Sequence, residues 1–321
     1  MNRFKRFLFC ALAVAMLLAL TACGPAASNT TPSPTQPTTA PTENVPTEKP
    51  TDPVVSGTYN IATASIGGAF YPFGQEIANL VNKYSGGLNM TPEVTGGAAE
   101  NPRLIDSGDC DFAITNENVA VYALEGTNGF DKPINLMGLG RLYPSVFHIV
   151  SLQGSGINEF ADLKGKRVAV GPAGGGTMVI LEQLFEYYGM SINDFTPSYL
   201  PYSDGFTQLA DGNVDAAVAL GGYPASAVLE CANTKAIQLI SIKEEVWDKF
   251  LEDYPYYSKT LVTKDYYKTP EDVYLIGIPN VLVCSPDIDD DVVYMVCKSI
   301  FEHIPEFQAA NANARDLEVE G

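Results

Sequence analysis

Short apolar stretches alternate along the chain with segments in which apolar side chains recur every three or four positions. The first pattern is typical of buried β-strands and the second of amphipathic α-helices. Two predicted helices are especially clear, one around 73–84 and one around 180–188. The predicted strands are Thr58–Thr63, Asp111–Thr115, Ile134–Gly138, Val146–Ser151, Arg167–Val170, Val214–Leu220, Ile237–Ile242 and Val281–Cys284. This alternation predicts an α/β fold.

Two pairs of segments repeat in the same order. IATASIGGAF (61–70) aligns with VAVGPAGGGT (168–177), and GDCDFAI (108–114) aligns with GNVDAAV (212–218). The offsets are nearly equal, so we expect two similar lobes. The predicted boundaries are 57–146 together with 243–321 for lobe 1, and 147–242 for lobe 2.

In each lobe a glycine-rich turn joins a strand to a helix. Ligands bind at the carboxyl ends of strands in open parallel sheets. Helix N-termini carry unpaired N–H groups and partial positive charge, which suit carboxylates or phosphates. The second turn lacks the Lys-Ser/Thr pair of a phosphate loop, because Thr177-Met178 follows Gly176. We expect the two turns to face one cleft and form an anion-binding clamp.

The N-terminus has the features of an export signal. A basic segment precedes an uninterrupted apolar run that is too short to span a bilayer comfortably. Leu20-Thr21-Ala22-Cys23 resembles the bacterial lipobox, which implies a signal peptide over 1–22 and lipidation at Cys23. The alternatives are an ordinary secretory signal with an incidental Cys23, or a transmembrane anchor. Residues 23–56 predict a disordered, Pro- and Thr-rich linker.

The chain is strongly acidic. It has 19 basic and 38 acidic residues, and removal of residues 1–22 leaves a formal charge of −22. Nucleic acids and anionic lipid surfaces are bound through clustered Lys and Arg, so the composition argues against both as partners.

No catalytic residue, cofactor or metal site is predicted. His148 lies in an alternating apolar strand, which favours a packed residue over a catalytic base. The acidic run from Asp287 to Asp291 could hold Ca²⁺, but its position before a helix over Val292–Ile304 favours a role at the helix N-terminus. The spacing of the remaining cysteines favours buried thiols over a metal site or disulfide framework: Cys110, Cys231, Cys284 and Cys297.

Several blocks resemble the solute receptors of tripartite ATP-independent periplasmic (TRAP) transporters, of the TAXI type. The blocks, in family order, are TASIGGAFYPFGQEIA, VTGGAAENPRLIDSGDCDFAITNENVA, RLYPSVFHIV, FADLKGKRVAVGPAGGGT and DGNVDAAVALGGYP. The resemblance implies a two-lobed type II periplasmic-binding fold that closes about hinge strands on a small carboxylate such as glutamate, glutamine or a dicarboxylate. It also implies that the protein acts outside the cytoplasm and delivers its solute to a membrane permease driven by an ion gradient.

The resemblance also implies a set of ligand-binding residues. They are Ser65, Gly67, Gly68, Tyr71, Asn101, Asn116, Gly175, Gly176, Thr177, Gly221, Gly222 and Tyr223. Arg141 lies near the end of the predicted strand Ile134–Gly138, close to the first crossover, and is a candidate carboxylate anchor, the alternative being a surface or hinge salt bridge. The hinge strands are expected near Val146–Ser151 and Ile278–Cys284.

The sequence departs from the family at three positions that bear on specificity. Phe70 stands where Tyr is frequent, Ala98 where Ser is frequent, and Asn116 where Gln is frequent, which implies a less polar or differently shaped pocket.

Two other functions remain open. One is an ABC-transporter receptor of the same fold for an aromatic, sulfonate or thiamine-precursor-like solute, and the other is an exported enzyme.

Overall fold

A computed structural model of the chain describes residues 51–318. The signal segment, Cys23 and the linker up to Pro50 lie outside the described residues, so the predictions made for them stay predictions. Among the described residues, no helix combines the length and apolar content needed to cross a bilayer.

The described residues contain ten strands. They are β1 (Gly57–Ala62), β2 (Leu88–Glu93), β3 (Phe112–Asn116), β4 (Met137–Leu152), β5 (Arg167–Ala169), β6 (Thr196–Ser198), β7 (Ala216–Gly221), β8 (Ile237–Leu239), β9 (Ser258–Val262) and β10 (Val273–Cys284). Every predicted strand overlaps an observed one, but Ile134–Leu136 lies outside β4. The sequence does not predict β2, β6 or β9.

Nine α-helices accompany these strands in the described part of the chain. They are α1 (Phe70–Tyr84), α2 (Asn101–Ser107), α3 (Glu117–Glu125), α4 (Gly176–Tyr188), α5 (Tyr202–Ala210), α6 (Ser226–Thr234), α7 (Glu244–Asp253), α8 (Asp290–Phe301) and α9 (Ile304–Ala310). Phe73, Ile77 and Leu80 of α1 are fully buried, as their spacing predicts. Pro72 is accommodated because it lies in the first turn, where its missing N–H is not needed.

The strands form one sheet in the order β2-β1-β3-β10-β4-β7-β5-β6, with β8 beside β4 and β9 beside β10. β1 is parallel to β2 and β3, and β5 is parallel to β6 and β7. Each half of the sheet therefore carries the same three-strand unit, with β1 and β5 in equivalent places. The predicted α/β architecture with two similar lobes is confirmed.

The repeated Gly-x-x-Asp segment has the same role in both lobes. Asp111 accepts a hydrogen bond from the Asn60 N–H at 2.9 Å, and Asp215 accepts one from the Arg167 N–H at 2.8 Å. Gly108 and Gly212, which begin the two segments, have positive φ angles of 77° and 75°. In each lobe the carboxylate before the third strand thus binds the main chain of the first strand.

Two long strands run through both lobes. Residues 280–284 of β10 pair with β3, whereas residues 273–277 pair with β9. Residues 137–147 of β4 pair with β10, and residues 146–151 pair with β7. The ladder is irregular between Pro279 and Val281. The strands therefore cross between lobes near Ser145 and Pro279, at the edges of the predicted hinge segments.

The hydrophobic cores show which segments belong to each lobe. One core joins α1 and α3 with α8, α9 and Leu317, and we define this as lobe 1. A second core contains β5, α4 and β7, together with Trp247 and Phe250 of α7, and a third joins α5, α6 and β7; these define lobe 2. The sequence places residues 243–321 in lobe 1, whereas in the structure the stretch as far as Ile278 packs with lobe 2.

Candidate functional site

A narrow cleft lies between the lobes at the carboxyl ends of β1 and β5. Its free volume is about 10 Å³, which is room for about one water molecule. The lobes are therefore closed against each other, and a solute of several atoms requires them to separate. The cleft is lined by Ala64, Gly68, Ala69, Phe70, Gly96, Gly97, Ala98, Asn116, Gly175, Gly176, Tyr202 and Leu220.

Two helices begin at this cleft, one from each lobe. Phe70 begins α1 and Gly176 begins α4, and both residues belong to the lining. Neither helix start is capped by a hydrogen bond from the side chain of its N-cap residue. The first N–H groups of a helix have no partner within the helix, so the two starts offer main-chain donors and partial positive charge.

A pair of hydrogen-bond donors from each lobe closes the cleft on a carbonyl oxygen of the other lobe. The Ala99 and Glu100 N–H groups of lobe 1 both donate to Gly174 O, at 3.0 and 3.2 Å. The Ser226 hydroxyl and the Ala227 N–H of lobe 2 both donate to Gly67 O, at 3.0 and 3.4 Å. Gly67 and Gly174 are the residues that the internal repeat aligns. Each lobe thus presents two converging donors that recognise one oxygen.

The lining is mostly apolar or main chain. It contains no Lys, Arg or His. Tyr202 is buried, and burial raises its pKa to about 12, so its hydroxyl stays protonated. A carboxylate lies at the edge, because Glu100 accepts a hydrogen bond from the Gly96 N–H.

Asn116 is the amide in the lining. Its Nδ2 donates to Asn280 Oδ1 at 2.7 Å, and Asn280 Nδ2 donates to Tyr143 O at 2.7 Å and to Ser145 Oγ at 2.8 Å. The three side chains that these hydrogen bonds connect are all buried: Asn116, Asn280 and Ser145. Asn116 Oδ1 is buried without a hydrogen-bond partner among the described residues.

Four of the residues that the sequence predicts for the site lie in the lining: Gly68, Asn116, Gly175 and Gly176. Three others support the site from behind. Asn101 is fully buried, and its Nδ2 donates to Thr63 O at 2.7 Å and Ile114 O at 2.6 Å, while its Oδ1 accepts from Thr95 at 2.7 Å. Thr177 donates to Val170 O at 2.8 Å. Ser65 is buried, with its hydroxyl unpaired in the described part of the chain.

The remaining predicted residues lie outside the lining. Tyr71 is half-buried in the first turn of α1. Gly221 faces Ala69, and Gly222 lies against Asn313 of the C-terminal segment. Tyr223 packs edge-on against Tyr266 and under the Arg315 guanidinium. Gly67 contributes its carbonyl to the contact described above.

Arg141 is not a carboxylate anchor in this structure. Its guanidinium is largely exposed and forms an ion pair with Glu117 at 2.6 Å. It does not line the cleft. The geometry matches the alternative of a surface salt bridge.

Sequence reasoning missed six lining residues: Ala64, Ala69, Gly96, Gly97, Tyr202 and Leu220. The internal repeat could have indicated Tyr202, because it begins α5 after β6, where lobe 1 has the β2–α2 loop that also lines the cleft. Leu220 is the second-last residue of the buried strand β7, and nothing in its apolar pattern separates it from core residues.

The other candidate chemistry is structural. His148 is fully buried, and burial lowers its pKa to about 4. Asp289 caps α8 by accepting from the Asp291 N–H at 2.9 Å, and no cluster of potential metal ligands occurs in residues 51–318. Cys110, Cys231 and Cys284 are buried free thiols, and Cys297 is a half-buried one.

Comparisons with known proteins show the fold. A family model described as the NMT1-like family matches residues 61–321. A putative L-cystine ABC transporter protein from Listeria monocytogenes is 15% identical, covers 80% of this chain and 94% of its own, and has a TM-score of 0.51. An ancestral arginine-binding protein bound to arginine is 14% identical over 81% and 97% of the two chains, with a TM-score of 0.49. The match to the Listeria protein confirms the two-lobed type II periplasmic-binding fold.

Proposed function

Because the chain belongs to the NMT1-like family, we propose that it is an extracytoplasmic solute-binding receptor of a membrane transporter. It captures a small carboxylate, with glutamate, glutamine and dicarboxylates as the first candidates, and delivers it to a TRAP-type permease. It is not an enzyme. Lipidation of Cys23 holds it at the outer face of the membrane, and residues 24–56 tether the lobes.

The paired main-chain donors at the cleft carry this proposal. Ala99 and Glu100 converge on one oxygen, and the starts of α1 and α4 add further donors. Gly174 O occupies the position that an acceptor oxygen of a solute takes when the lobes separate. A carboxylate can thus be bound without Lys or Arg in the lining, which reconciles an acidic protein with an anionic solute.

The two strands that join the lobes allow the movement that binding requires. Rotation about β4 and β10 near Ser145 and Pro279 opens the cleft, the solute binds one lobe, and closure brings the other onto it. The closed form then presents a surface that the permease distinguishes from the open one.

A panel of amino acids and dicarboxylates tests the proposal through the melting temperature. A solute that binds only the folded state adds about 2.7 kcal/mol to the free energy of unfolding at a hundredfold excess over Kd.

Two variants test the charge of the solute. Ala98→Asp and Ala98→Asn place side chains of equal shape at the cleft wall. We expect the Asp variant to bind an anionic solute at least tenfold more weakly than the Asn variant. Equal affinities, or no shift with any solute, would contradict an anionic ligand.

A second candidate is a receptor of an ABC transporter. One solved chain with the same fold is described as a putative L-cystine ABC transporter. The two candidates differ in the permease, so a neighbouring gene for a large multi-span permease supports the TRAP receptor. A neighbouring ATPase with a six-span permease supports the ABC receptor instead.

A further inference from the structure

The Asn116 amide is held in one orientation by the residues behind it. Tyr143 O can only accept a hydrogen bond, so the Asn280 atom that meets it at 2.7 Å must be Nδ2. Asn280 Oδ1 therefore points to Asn116, and the Asn116 atom that meets it at 2.7 Å must be Nδ2. The reversed Asn116 amide would place two oxygens in contact. The cleft-facing atom of Asn116 is thus an acceptor, Oδ1.

No donor to this acceptor is found among the described residues. Asn116 is only 1% exposed, and its Oδ1 lies against Gly176 at the start of α4, without a hydrogen-bond partner in residues 51–318. Buried acceptors are nearly always paired, and an unpaired one is costly. The lining holds no cationic side chain, and the carboxylate of Glu100 lies at its edge. These surroundings favour an N–H or O–H group on the solute.

We propose that Asn116 Oδ1 selects solutes that carry an N–H or O–H donor beside their anionic group, and that Asn280 is the positioning residue that fixes this selection. The inference rests on the proposed function, since it names the solute class of the same cleft. Amino and hydroxy acids satisfy both the acceptor and the main-chain donors. Oxo acids and unsubstituted acids of the same skeleton present only acceptors to Asn116.

Matched solutes on one skeleton test the selection. The probes are L-glutamate, 2-hydroxyglutarate and 2-oxoglutarate, then L-aspartate, malate and oxaloacetate, then L-phenylalanine, phenyllactate and phenylpyruvate, with taurine against ethanesulfonate. For each skeleton that binds, we expect the amino or hydroxy form to bind at least tenfold more tightly than the oxo or unsubstituted form. Oxo acids, or ethanesulfonate, that bind as tightly as their partners would overturn the inference and leave the proposed function standing. Absence of binding by every probe would overturn both.

Variants separate a role in selection from a role in folding. Asn116→Ala removes the acceptor, so the ratio of the two affinities, donor-bearing solute over oxo acid, should fall to less than threefold. Asn280→Asp keeps an oxygen that accepts from Asn116 Nδ2, and its second oxygen must carry a proton to replace the hydrogen bond to Tyr143 O, whereas Asn280→Leu keeps neither. The preference should survive in the first and be lost in the second. A preference that is retained in Asn116→Ala would overturn the assignment, and the wild-type comparison stands if a variant fails to fold.

Discussion

His148 lies on β4, near the crossing of the strands between the lobes, and is fully buried. The Tyr267 hydroxyl accepts from the Ala225 N–H at 2.7 Å and lies 3.0 Å from His148 Nε2. No charged side chain is part of this contact. Burial lowers the pKa of His148 from 6.5 to about 4, because the charged imidazolium is poorly solvated there.

This shift predicts a loss of stability in mild acid. Between pH 6.5 and 4 the unfolded chain binds a proton that the folded chain does not, so the free energy of unfolding falls as the pH falls, by about 3 kcal/mol in all. The lowered carboxyl pKa values, as at Asp215, reduce stability only below about pH 5, so the upper part of this window reports His148. Urea denaturation at several pH values should show the slope in the wild type. The slope of the free energy of unfolding against pH should be smaller in His148→Gln. An unchanged slope in that variant would mean that other groups cause the loss of stability.

Asn101 shows why a residue type in a family motif is not enough to assign a ligand contact. The sequence places it in a cleft loop as a solute ligand, but its amide binds Thr95 of that loop and the carbonyl oxygens of Thr63 and Ile114. Whether an amide faces the solute or the main chain depends on side-chain direction, which spacing along the chain does not contain. The glycines are more predictable, because they are required where the main chains of two lobes meet.

Asn101→Asp tests this structural role. The new carboxylate oxygen would face Thr63 O and Ile114 O, both of which now accept hydrogen bonds. We expect a loss of about 3 kcal/mol or more in the free energy of unfolding, measured by urea denaturation. Asn193→Asp is the exposed control and should change it by less than about 0.5 kcal/mol. Weaker solute binding without a loss of stability would restore the role as a ligand.

At the scale of elements, the strands that carry the repeat are predicted well and the peripheral ones are not. β2 alternates buried Leu88 and Met90 with exposed residues and contains Pro92, which suits only its edge position. β6 has three residues, and β9 consists mostly of polar or half-exposed positions. Such strands form because a neighbouring strand offers hydrogen bonds, and that information is not local.

The glycine-rich turns make an element-scale prediction about closure. A Cβ at Gly174 would lie 2.9 Å from Glu100 Cβ of the other lobe, and its nearest contacts are all with lobe 1. Gly174→Ala should therefore leave both lobes folded but prevent them from meeting. We expect a larger radius of gyration in small-angle X-ray scattering and solute affinity reduced at least tenfold.

The matched control for this variant is Gly138→Ala. Gly138 lies on β4, and a Cβ there meets no atom within 4 Å. Its scattering profile should equal that of the wild type. A Gly174→Ala profile that also equals the wild type would mean that the turns adjust without opening the cleft.

At the scale of the molecule, polar side chains join the lobes beside the cleft. Gln183 of α4 donates to the Tyr122 hydroxyl of α3 at 2.8 Å, and it accepts from the Tyr257 hydroxyl at 2.7 Å. Tyr257 in turn accepts from Asn118 Nδ2 of α3 at 2.9 Å. Burial raises the pKa of both tyrosines, so these bonds persist through the physiological range.

Gln183→Leu removes the amide that bonds across this interface. The buried hydroxyls of Tyr122 and Tyr257 each lose a partner, which costs about 1–3 kcal/mol. The cost falls on the closed form, because water can satisfy both hydroxyls once the lobes separate. We therefore expect faster hydrogen exchange in α3 and α4 with little change in the helices remote from the cleft. Gln75→Leu, on an exposed pair with Asn79, is the control. Uniformly faster exchange throughout the chain would instead mean that the network stabilises folding as a whole, and that the cleft is held shut by the carbonyl contacts of Gly67 and Gly174 alone.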